Sequence, residues 1–316
     1  MKVLVIGAGA LGIGIGASLK KSGVQVDFIA RGETKDAILS NGISRLDVFE
    51  DIVIPAGEVG VYDDYDKLPE KSYDYIIIST KTTANEEVSE EVRNHTACMK
   101  DDCRIVFMQN GMGYEESFEE RFEEEMLFHS RVITGFKKNK PNESTLTAHQ
   151  APILIGSIYG FDVEAVKPLA DAINASGIPA ETTDEINKAL WSKMIYNTTL
   201  NPLGAILGMS YGELSDSEYA RSIMDILIEE TFEIMKESGG VTYWDDPDEY
   251  RTVLFEEMIP MTYEHRSSTL QDIEKKQKTE IDYLTGSLLG IASSCNVAAP
   301  VHSMIYSLVK AKEEKF

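Results

Sequence analysis

A glycine-patterned turn near the N-terminus constrains the fold of this chain more than any other feature. Residues 2–6, KVLVI, form a short apolar run of the kind found in parallel strands buried on both faces. The run leads directly into Gly7, Gly9 and Gly12, spaced as GxGxxG. A helical segment and a second apolar strand, residues 24–30, follow within about 30 residues, as in one strand–helix–strand unit. In this context the pattern predicts a Rossmann-type domain that binds a dinucleotide, although GxGxxG alone is a weak signal.

Each glycine of the turn has its own role in that prediction. Gly7 permits the tight turn, Gly9 lets a pyrophosphate approach the backbone, and Gly12 lets the helix pack close to the strand. Unpaired N–H groups at the start of the helix would face the phosphates. The alternative is a glycine-rich turn without a ligand. The predicted cofactor-binding residues of the turn are Gly7, Ala8, Gly9, Ala10, Leu11 and Gly12.

The residue that ends the second predicted strand bears on the choice of cofactor. Arg31 stands where an acidic side chain would hydrogen-bond the ribose 2′-hydroxyl of NADH. An arginine matches the 2′-phosphate of NADPH, because a guanidinium can bind phosphate through paired hydrogen bonds. Arg31 therefore favours NADPH over NADH. The alternative is an exposed arginine in a loop.

Two further strands end in polar residues. Residues 73–80, YDYIIIST, are followed by Lys81, and residues 104–109, RIVFMQ, are followed by Asn110. Ligands of open parallel sheets bind beyond the carboxyl ends of the strands, so both side chains are candidate ligand groups. Taken singly, Lys81 could be a surface residue and Asn110 part of a plain turn.

The second half of the chain has a different pattern. At 316 residues the chain is long for one core, and two domains are expected. From about residue 184 onward the periodicity is helical and no convincing strand is found. The predicted fold is therefore an α/β Rossmann-type domain over residues 1–184, followed by an all-helical domain over residues 185–316.

A polar stripe opens this helical half. The segment from residue 189 is predicted to be helical and to end at Pro202, which cannot continue an interior hydrogen-bond ladder. Lys193, Asn197 and Asn201 recur every four residues and so share one helix face, about 80° wide. One ammonium and two carboxamides suit a cleft that binds a small polar molecule and donates a proton. The alternative is a stripe that faces solvent.

Charge and composition exclude several classes of function. The chain has 30 Lys and Arg against 53 Asp and Glu, a formal charge of −23, which repels nucleic acid and anionic membranes. Apolar runs fall short of the roughly 18 residues of a membrane span. The three cysteines form no CxxC motif and indicate reduced thiols in a cytoplasmic protein. The five histidines lack metal-site spacing, so no protein-bound metal is predicted.

Three other segments carry interpretations that a structure can test. The acidic run 115–125 is interpreted as a solvated helix with Phe118 and Phe122 pointing inward. Residues 267–292 are predicted to form a long helical region, in which Ser268 and Gln271 fit a capping box. By local sequence, Glu280 fits a solvated face of that region. KKNKPNES, from residue 137, is interpreted as an exposed loop.

Several of these motifs together resemble one known family. GAGALG, ARGE, STK, QNGMG, LWSKMIYNTTLNPL, SSTLQD and TEIDYLTG occur in this order over nearly the whole chain. In order and approximate spacing they resemble the ketopantoate reductase (2-dehydropantoate 2-reductase) family. The resemblance implies a Rossmann domain followed by an all-helical domain.

The resemblance also implies roles for individual residues. It places the pyrophosphate on Gly7 to Gly12, the 2′-phosphate on Arg31, and Lys81 and Asn110 near the nicotinamide end. It implies that Lys193 is the proton donor and Glu280 an active-site glutamate. The implied substrate-binding residues are Asn110, Lys193, Asn197, Asn201 and Ser268.

The activity implied is reduction of a 2-oxo acid to a 2-hydroxy acid by NADPH. The best single expectation is 2-dehydropantoate to (R)-pantoate, a step toward pantothenate and coenzyme A. One alternative is a different 2-oxo acid, and another is an NADP(H)-binding sensor without turnover, against which Lys193 and Glu280 argue. The expected partner is a small molecule, and a homodimer is one possible assembly.

The chain departs from the family pattern at three positions. His265 and Tyr211 stand where many members have asparagine at or beside the substrate, and His302 replaces asparagine in a late Pro-x-Asn. The first two departures predict weaker use of 2-dehydropantoate than of a bulkier or less hydroxylated 2-oxo acid. The alternative is that both side chains contact the same substrate from shifted backbone positions. His302 is interpreted as part of the cap of the last helix, although histidine is a poor cap.

Overall fold

The computed structural model describes residues 1–47, 50–149 and 151–316. The chain divides into two compact units. The first contains Met1–Gln109 and Tyr114–Ile186, and the second contains Asn110–Gly113 and Asn187–Phe316. The domain boundary expected near residue 184 stays a proposal.

The first unit is built around a mostly parallel sheet. Its apolar segments form strands because β-branched and aromatic side chains pack well on both faces of a covered sheet. The strands of the unit are β1 (Lys2–Ile6), β2 (Gln25–Ile29), β3 (Ile43–Leu46), β4 (Ile52–Ile54), β5 (Gly60–Tyr62), β6 (Tyr73–Ile78), β7 (Met99–Phe107), β8 (Leu127–Arg131), β9 (Thr134–Lys140), β10 (Glu143–His149), β11 (Ile153–Gly156) and β12 (Ala180–Thr182). Eight of them form a sheet in the order β12-β11-β8-β7-β6-β1-β2-β5. Among the described residues, β8 and β11 are the one antiparallel pair within it.

A second sheet lies on the other side of the first helix. It has the order β4-β3-β10-β9, in which β10 pairs parallel with β3 and antiparallel with β9. The helices of the first unit are α1 (Ala10–Lys21), α2 (Gly32–Asn41), α3 (Asn85–Asn94), α4 (Glu116–Glu119) and α5 (Lys167–Ala175). In α1, a Cβ on Gly14 would come within 2.5 Å of the Phe136 ring of β9. A Cβ on Gly16 would come within 2.3 Å of the Phe28 ring of β2, so glycines let α1 pack between the two sheets.

Within the described residues, the second unit is helical. Its helices are α6 (Ile186–Leu207), α7 (Tyr211–Asp216), α8 (Glu218–Glu237), α9 (Pro247–Val253), α10 (Ile259–Met261), α11 (Ser268–Glu274), α12 (Thr285–Ser294) and α13 (Pro300–Glu313). The core includes Trp191, Ile195, Leu227 and Ile234, all 5% exposed or less. The predicted fold class, a Rossmann-type α/β domain followed by helices, is confirmed.

The predicted end of the first helix of this unit is wrong. Helix α6 continues through Pro202 to Leu207. A proline removes one N–H donor and crowds one carbonyl, and buried neighbours on both sides can hold the rest of the ladder. Leu200 and Leu203 are fully buried beside the proline and provide that packing.

Three other predicted segments are corrected. The region 267–292 is not continuous, because α11 ends at Glu274 and α12 begins at Thr285. The acidic run 115–125 forms only a four-residue helix, although Phe118 and Phe122 are buried as predicted. Most of KKNKPNES belongs to the antiparallel pair β9–β10, whose backbone hydrogen bonds outweigh its polar composition.

Candidate active site

The glycine turn has room where a pyrophosphate needs it. Gly7 has a φ of +109°, and a Cβ there would lie 2.5 Å from the backbone nitrogen of Thr80. A Cβ on Gly12 would lie 2.0 Å from the carbonyl oxygen of Gly7. A Cβ on Gly9 would meet no described atom within 4 Å. The turn is therefore tight at Gly7 and Gly12 and open at Gly9, which fits the binding of a dinucleotide.

The start of α1 completes this cradle. Gly9 is the N-cap residue of the helix and has no side chain that could satisfy the first N–H groups. Those groups keep their capacity to donate to an anion, helped by the positive end of the helix dipole. The hydroxyl of Ser79 donates to the Gly7 carbonyl at 2.8 Å and fixes the turn against the end of β6.

A cleft of about 280 Å³ opens beside the turn and contains Arg31. Gly7 and Ala8 line it on one side, and Glu87 and Glu91 of α3 line it on another. Arg31 Nη1 lies 3.2 Å from Glu87 Oε1, with the two side chains 62% and 65% exposed. Exposed pairs of this kind contribute little stability, so a phosphate can replace the carboxylate as the partner of Arg31.

Lys81 lies at the carboxyl end of β6, where the sequence places it. It is exposed and precedes a short 3₁₀ turn, Thr82–Ala84. Its role at the nicotinamide end remains a proposal.

Asn110 belongs to a four-residue segment of the second unit, Asn110–Gly113. Lys193 Nζ of α6 donates a hydrogen bond to Asn110 Oδ1 over 2.8 Å. The segment is held at Tyr283, whose carbonyl oxygen accepts the Met112 N–H at 3.1 Å. Gly111 has a φ of +98°, and a Cβ there would lie 2.1 Å from that same carbonyl oxygen. The structure thus brings together Asn110 and Lys193, two residues that the sequence separates by 83 positions.

The polar stripe of α6 passes from the half-buried to the buried part of the unit. Lys193 and Asn197 are half-buried, whereas Asn201 is 4% exposed. Asn201 Oδ1 accepts a hydrogen bond from the Tyr211 hydroxyl at 2.6 Å, and its backbone carbonyl accepts one from Ser267 at 3.2 Å. The stripe does not simply face solvent.

Tyr211 and His265 lie side by side at the Asn201 end of the stripe. Their ring centroids are 4.9 Å apart, and the Tyr211 N–H donates to the His265 carbonyl at 3.0 Å. The ring of Tyr196 meets Tyr211 edge-on, with centroids 5.5 Å apart. Partial burial lowers the pKa of His265, although the residue as a whole is exposed. Two separate departures from the family pattern therefore form one aromatic cluster.

Ser268 does not have the capping role that its sequence context predicts. The N-cap of α11 is Ser267, whose hydroxyl accepts the Leu270 N–H at 3.1 Å, and Ser268 is exposed at the first helical position. Gln271 instead donates to the Arg266 carbonyl at 2.9 Å, so the predicted capping box is wrong. A serine pair offers two equivalent candidates by sequence, and only the structure distinguishes them.

Glu280 does not lie on a solvated α-helical face. It is half-buried, and its carbonyl accepts the Tyr283 N–H at 3.0 Å, which starts the 3₁₀ turn Ile281–Tyr283. The preceding Thr279 is fixed by Glu313 of α13, which accepts both the backbone N–H at 2.7 Å and the hydroxyl at 2.6 Å. Glu280 is therefore held in the same turn that anchors the Asn110–Gly113 segment.

One buried pair of the first unit was not predicted. Gln109 and Asn85 exchange carboxamide hydrogen bonds of 2.7 and 3.0 Å, and Gln109 also donates to the Thr80 carbonyl at 2.8 Å. Both side chains are at most 5% exposed. The pair ties the ends of β6 and β7 to α3. A glutamine directly before Asn110 was the only sequence signal.

His302 is a core residue and takes part in the cap of α13. Glu230 of α8 accepts the N–H groups of Val301 and His302, at 2.9 and 3.0 Å, and the His302 ring at 2.8 Å. Burial opposes the charge on Glu230, but these donors outweigh it and lower the pKa of its carboxyl group. The cap is thus a carboxylate from another helix, and His302 helps to hold it.

The described residues hold neither a metal-binding cluster nor a helix that could span a membrane. Within residues 1–47, 50–149 and 151–316, His, Cys, Asp and Glu side chains form no group of three that could hold a metal ion. No helix in the described part of the chain is both long and apolar enough to cross a bilayer.

A Rossmann-type sheet with an open glycine cradle, followed by a helical unit with a lysine–asparagine pair, defines a nicotinamide dinucleotide-dependent oxidoreductase. Within this class of oxidoreductases, the sequence matches one family. The sequence model described as "Ketopantoate reductase PanE/ApbA" matches residues 3–160, and the one for the C-terminal part of that family matches residues 185–313. The chain belongs to the ketopantoate reductase (PanE/ApbA) family, as the motifs suggested.

Individual relatives agree with this assignment. A protein named 2-dehydropantoate 2-reductase from Aquifex aeolicus is 32% identical over 314 residues, covering 99% of this chain and 97% of the relative. The crystal structure of a 2-dehydropantoate 2-reductase from Geobacter metallireducens has a TM-score of 0.87 at 24% identity, covering 98% of this chain and 99% of the other. A ternary structure of D-mandelate dehydrogenase with NADH and anilino(oxo)acetate also has a TM-score of 0.87 at 24% identity, covering 100% and 99%. These two structures show the shared fold.

Proposed function

We propose that this chain reduces 2-dehydropantoate to (R)-pantoate with NADPH, a step toward pantothenate and coenzyme A. The observation that carries the proposal is the hydrogen bond of 2.8 Å from Lys193 to Asn110. It holds an ammonium group on a rigid helix beside a carboxamide, the arrangement that a ketone reductase needs at the reacting oxygen. The names of many relatives, including the protein from Aquifex aeolicus, support the same substrate.

Each residue has its own role in the proposed reduction of the ketone. The bound nicotinamide dinucleotide supplies the hydride that reduces the ketone. Lys193 stabilises the negative charge that develops on the substrate oxygen and donates the proton that completes the alcohol. Asn110 orients the ammonium by accepting a hydrogen bond from it. Glu280, held in its turn, is proposed to be the acidic side chain of the site.

The remaining polar residues bind the substrate without adding charge. Asn201 presents its oxygen to Tyr211, so its NH₂ group is what it can offer to a substrate carboxylate. Asn197 and the exposed hydroxyl of Ser268 are proposed to complete the recognition. Lys81 is proposed to position the nicotinamide end of the cofactor.

Arg31 supports NADPH as the cofactor. It follows the second strand and lines the cleft, and among the described residues it forms an exposed ion pair with Glu87. A 2′-phosphate offers a stronger partner, since charge-assisted bonds to phosphate can be bidentate.

Turnover with a small panel of 2-oxo acids tests the proposal. The oxidation of NADPH is followed with 2-dehydropantoate, and Lys193→Ala is compared with Lys188→Ala, a change in the same helix. We expect Lys193→Ala to lower kcat by about 10²–10⁴, the usual contribution of a positioned acid, while NADPH still binds. Near-normal turnover of this variant would refute the proposed role of Lys193.

A second candidate substrate is a bulkier or less hydroxylated 2-oxo acid. The aromatic cluster of Tyr196, Tyr211 and His265 favours it, because rings offer apolar contact where carboxamides would bind a hydroxyl. The fold that this chain shares with D-mandelate dehydrogenase suggests benzoylformate, the 2-oxo acid that corresponds to mandelate, as one member of the panel.

The two candidates are separated by kcat/KM for 2-dehydropantoate, 2-oxoisovalerate and benzoylformate. If 2-dehydropantoate is best by tenfold or more, about 1.4 kcal/mol in transition-state binding, the aromatic cluster does not redirect specificity. If a bulkier acid is best by that margin, the first proposal is wrong in its substrate but not in its reaction.

A further inference from the structure

Lys138 reaches from the second sheet to the glycine turn. It lies on β9, and its Nζ donates to the Ala8 carbonyl at 3.2 Å and to the Thr34 hydroxyl at 3.0 Å. These partners are 130 and 104 positions away along the chain. The ammonium therefore connects the loop after β1 with the first turn of α2.

The two partners of Lys138 line the same cleft as Arg31. Both partner atoms are neutral oxygens, so they do not neutralise the positive charge of the lysine. Partial desolvation lowers the pKa of Lys138, and the nearby charge of Glu33 partly offsets this. The lysine is thus a cation for which a bound anion would be a better partner than a carbonyl and a hydroxyl.

The surroundings of Lys138 identify which anion fits. Arg31 is the N-cap residue of α2, and its own side chain makes no capping hydrogen bond. Arg31, the Thr34 hydroxyl and the first N–H groups of the ten-residue helix thus form one anion-binding region. Lys138 lies at its Thr34 side. Because the ribose of a dinucleotide is bound at the end of β2, the group expected in this region is the 2′-phosphate.

We propose that Lys138 is a second cation for the 2′-phosphate of NADPH, acting with Arg31 and Thr34. The proposal rests on the proposed use of NADPH and adds a specificity-determining residue from outside the strand–helix–strand unit. A contact of Lys138 with the pyrophosphate is the competing arrangement. That contact would be made equally to NADPH and NADH.

Binding without turnover tests the proposal. The dissociation constants of 2′,5′-ADP and of 5′-AMP, which lacks only the 2′-phosphate, are measured by calorimetry for the full chain, Lys138→Met, Lys138→Arg and Lys137→Met. Lys137 is an exposed neighbour on the same strand and serves as the matched control. The melting temperature of each variant shows whether the fold is retained.

We expect Lys138→Met to weaken the binding of 2′,5′-ADP by about ten- to thirtyfold, as for loss of one charge-assisted phosphate contact, and that of 5′-AMP by less than twofold. Lys138→Arg should recover most of the loss, and Lys137→Met should change neither ligand. Equal losses for both ligands would assign Lys138 to the 5′-phosphate that they share and overturn the proposal. Unchanged binding of 2′,5′-ADP would also overturn it.

The same data separate this proposal from the proposed function. If the unmodified chain does not prefer 2′,5′-ADP over 5′-AMP, the choice of NADPH fails and Lys138 has no 2′-phosphate to bind. If that preference is present but survives Lys138→Met, only the role of Lys138 is wrong. Reduction of a 2-oxo acid is measured independently of both.

Discussion

Replacing Gly9 or Gly12 by alanine should separate cofactor binding from folding. The two glycines lie three residues apart in one turn, and the same methyl group meets opposite surroundings at the two positions. At Gly9 it meets no described atom within 4 Å. At Gly12 it would lie 2.0 Å from the Gly7 carbonyl oxygen and 2.7 Å from Ser79 Oγ.

The structure sets the expected size of each effect. Gly9 has a φ of −82°, which alanine adopts without strain, so Gly9→Ala should cost less than about 1 kcal/mol as a poorer N-cap. Overpacking typically costs about 1–3 kcal/mol, and Gly12→Ala should reach the upper end because it crowds one fixed backbone group against another. For a domain of this size, 1 kcal/mol corresponds to about 2–4 °C in melting temperature. Gly12→Ala should therefore lower it by about 6 °C or more.

Gly9→Ala, which should change stability little, should weaken the binding of the cofactor. The added methyl group of Gly9→Ala fills the space through which a pyrophosphate would approach the backbone. A clash of about 1–3 kcal/mol weakens binding by roughly 5- to 150-fold, with NADPH and NADH affected alike.

Thermal unfolding followed by circular dichroism, together with titration of NADPH fluorescence, measures both quantities. The reasoning would be refuted if Gly9→Ala bound NADPH as tightly as the unmodified chain. A normal melting temperature for Gly12→Ala would equally contradict the packing on which the cradle depends.

Three further predictions concern other parts of the molecule. Arg31→Ala should weaken NADPH binding by about ten- to a hundredfold and leave NADH binding nearly unchanged, and equal losses in fluorescence titrations would contradict the assignment. Tyr211→Phe removes the donor to the buried Asn201 oxygen and should lower the unfolding free energy by about 1–3 kcal/mol in urea denaturation, whereas an unchanged value would argue against that bond. Because the folded-state pKa of Glu230 lies below its ordinary value of 4.5, its stabilising contribution is present above that pH and is lost as the pH falls through the lowered pKa. The stability difference between the unmodified chain and Glu230→Gln should therefore shrink on acidification below pH 4.5, and a constant difference would refute the linkage.

The sequence predicted best those features that depend on local backbone chemistry. The apolar run, the glycine turn and α1 lie within residues 2–21 of the chain, and the structure contains all three in that order. The positive φ of Gly7 and the close approach at Gly12 are requirements that only glycine meets. The spacing of the glycines in the sequence therefore predicts the backbone geometry of the turn. Positions at strand ends, such as that of Lys81, follow from the same local pattern.

Features set by distant partners could not be predicted in this way. The break after α11 depends on Lys276, which has a φ of +53°, and on Thr279 being held by Glu313, 34 residues further along the chain. The cap of α13 comes from Glu230, about 70 positions earlier. Local periodicity contains no information about either contact, because both depend on how helices pack in three dimensions.

Asn110 shows that a residue predicted correctly from local sequence becomes part of a site only through the contacts of the folded chain. By sequence it is the residue after a strand, and that pattern alone is equally consistent with a plain turn. In the structure its segment groups with the helical unit, because Gly111 adopts a left-handed backbone and closely approaches the Tyr283 carbonyl. A side chain at position 111 would force this segment away from Tyr283, and Asn110 would then move relative to Lys193. The geometry proposed for proton donation thus depends on a glycine that touches neither substrate nor cofactor in the proposed mechanism, and on the turn that also holds Glu280.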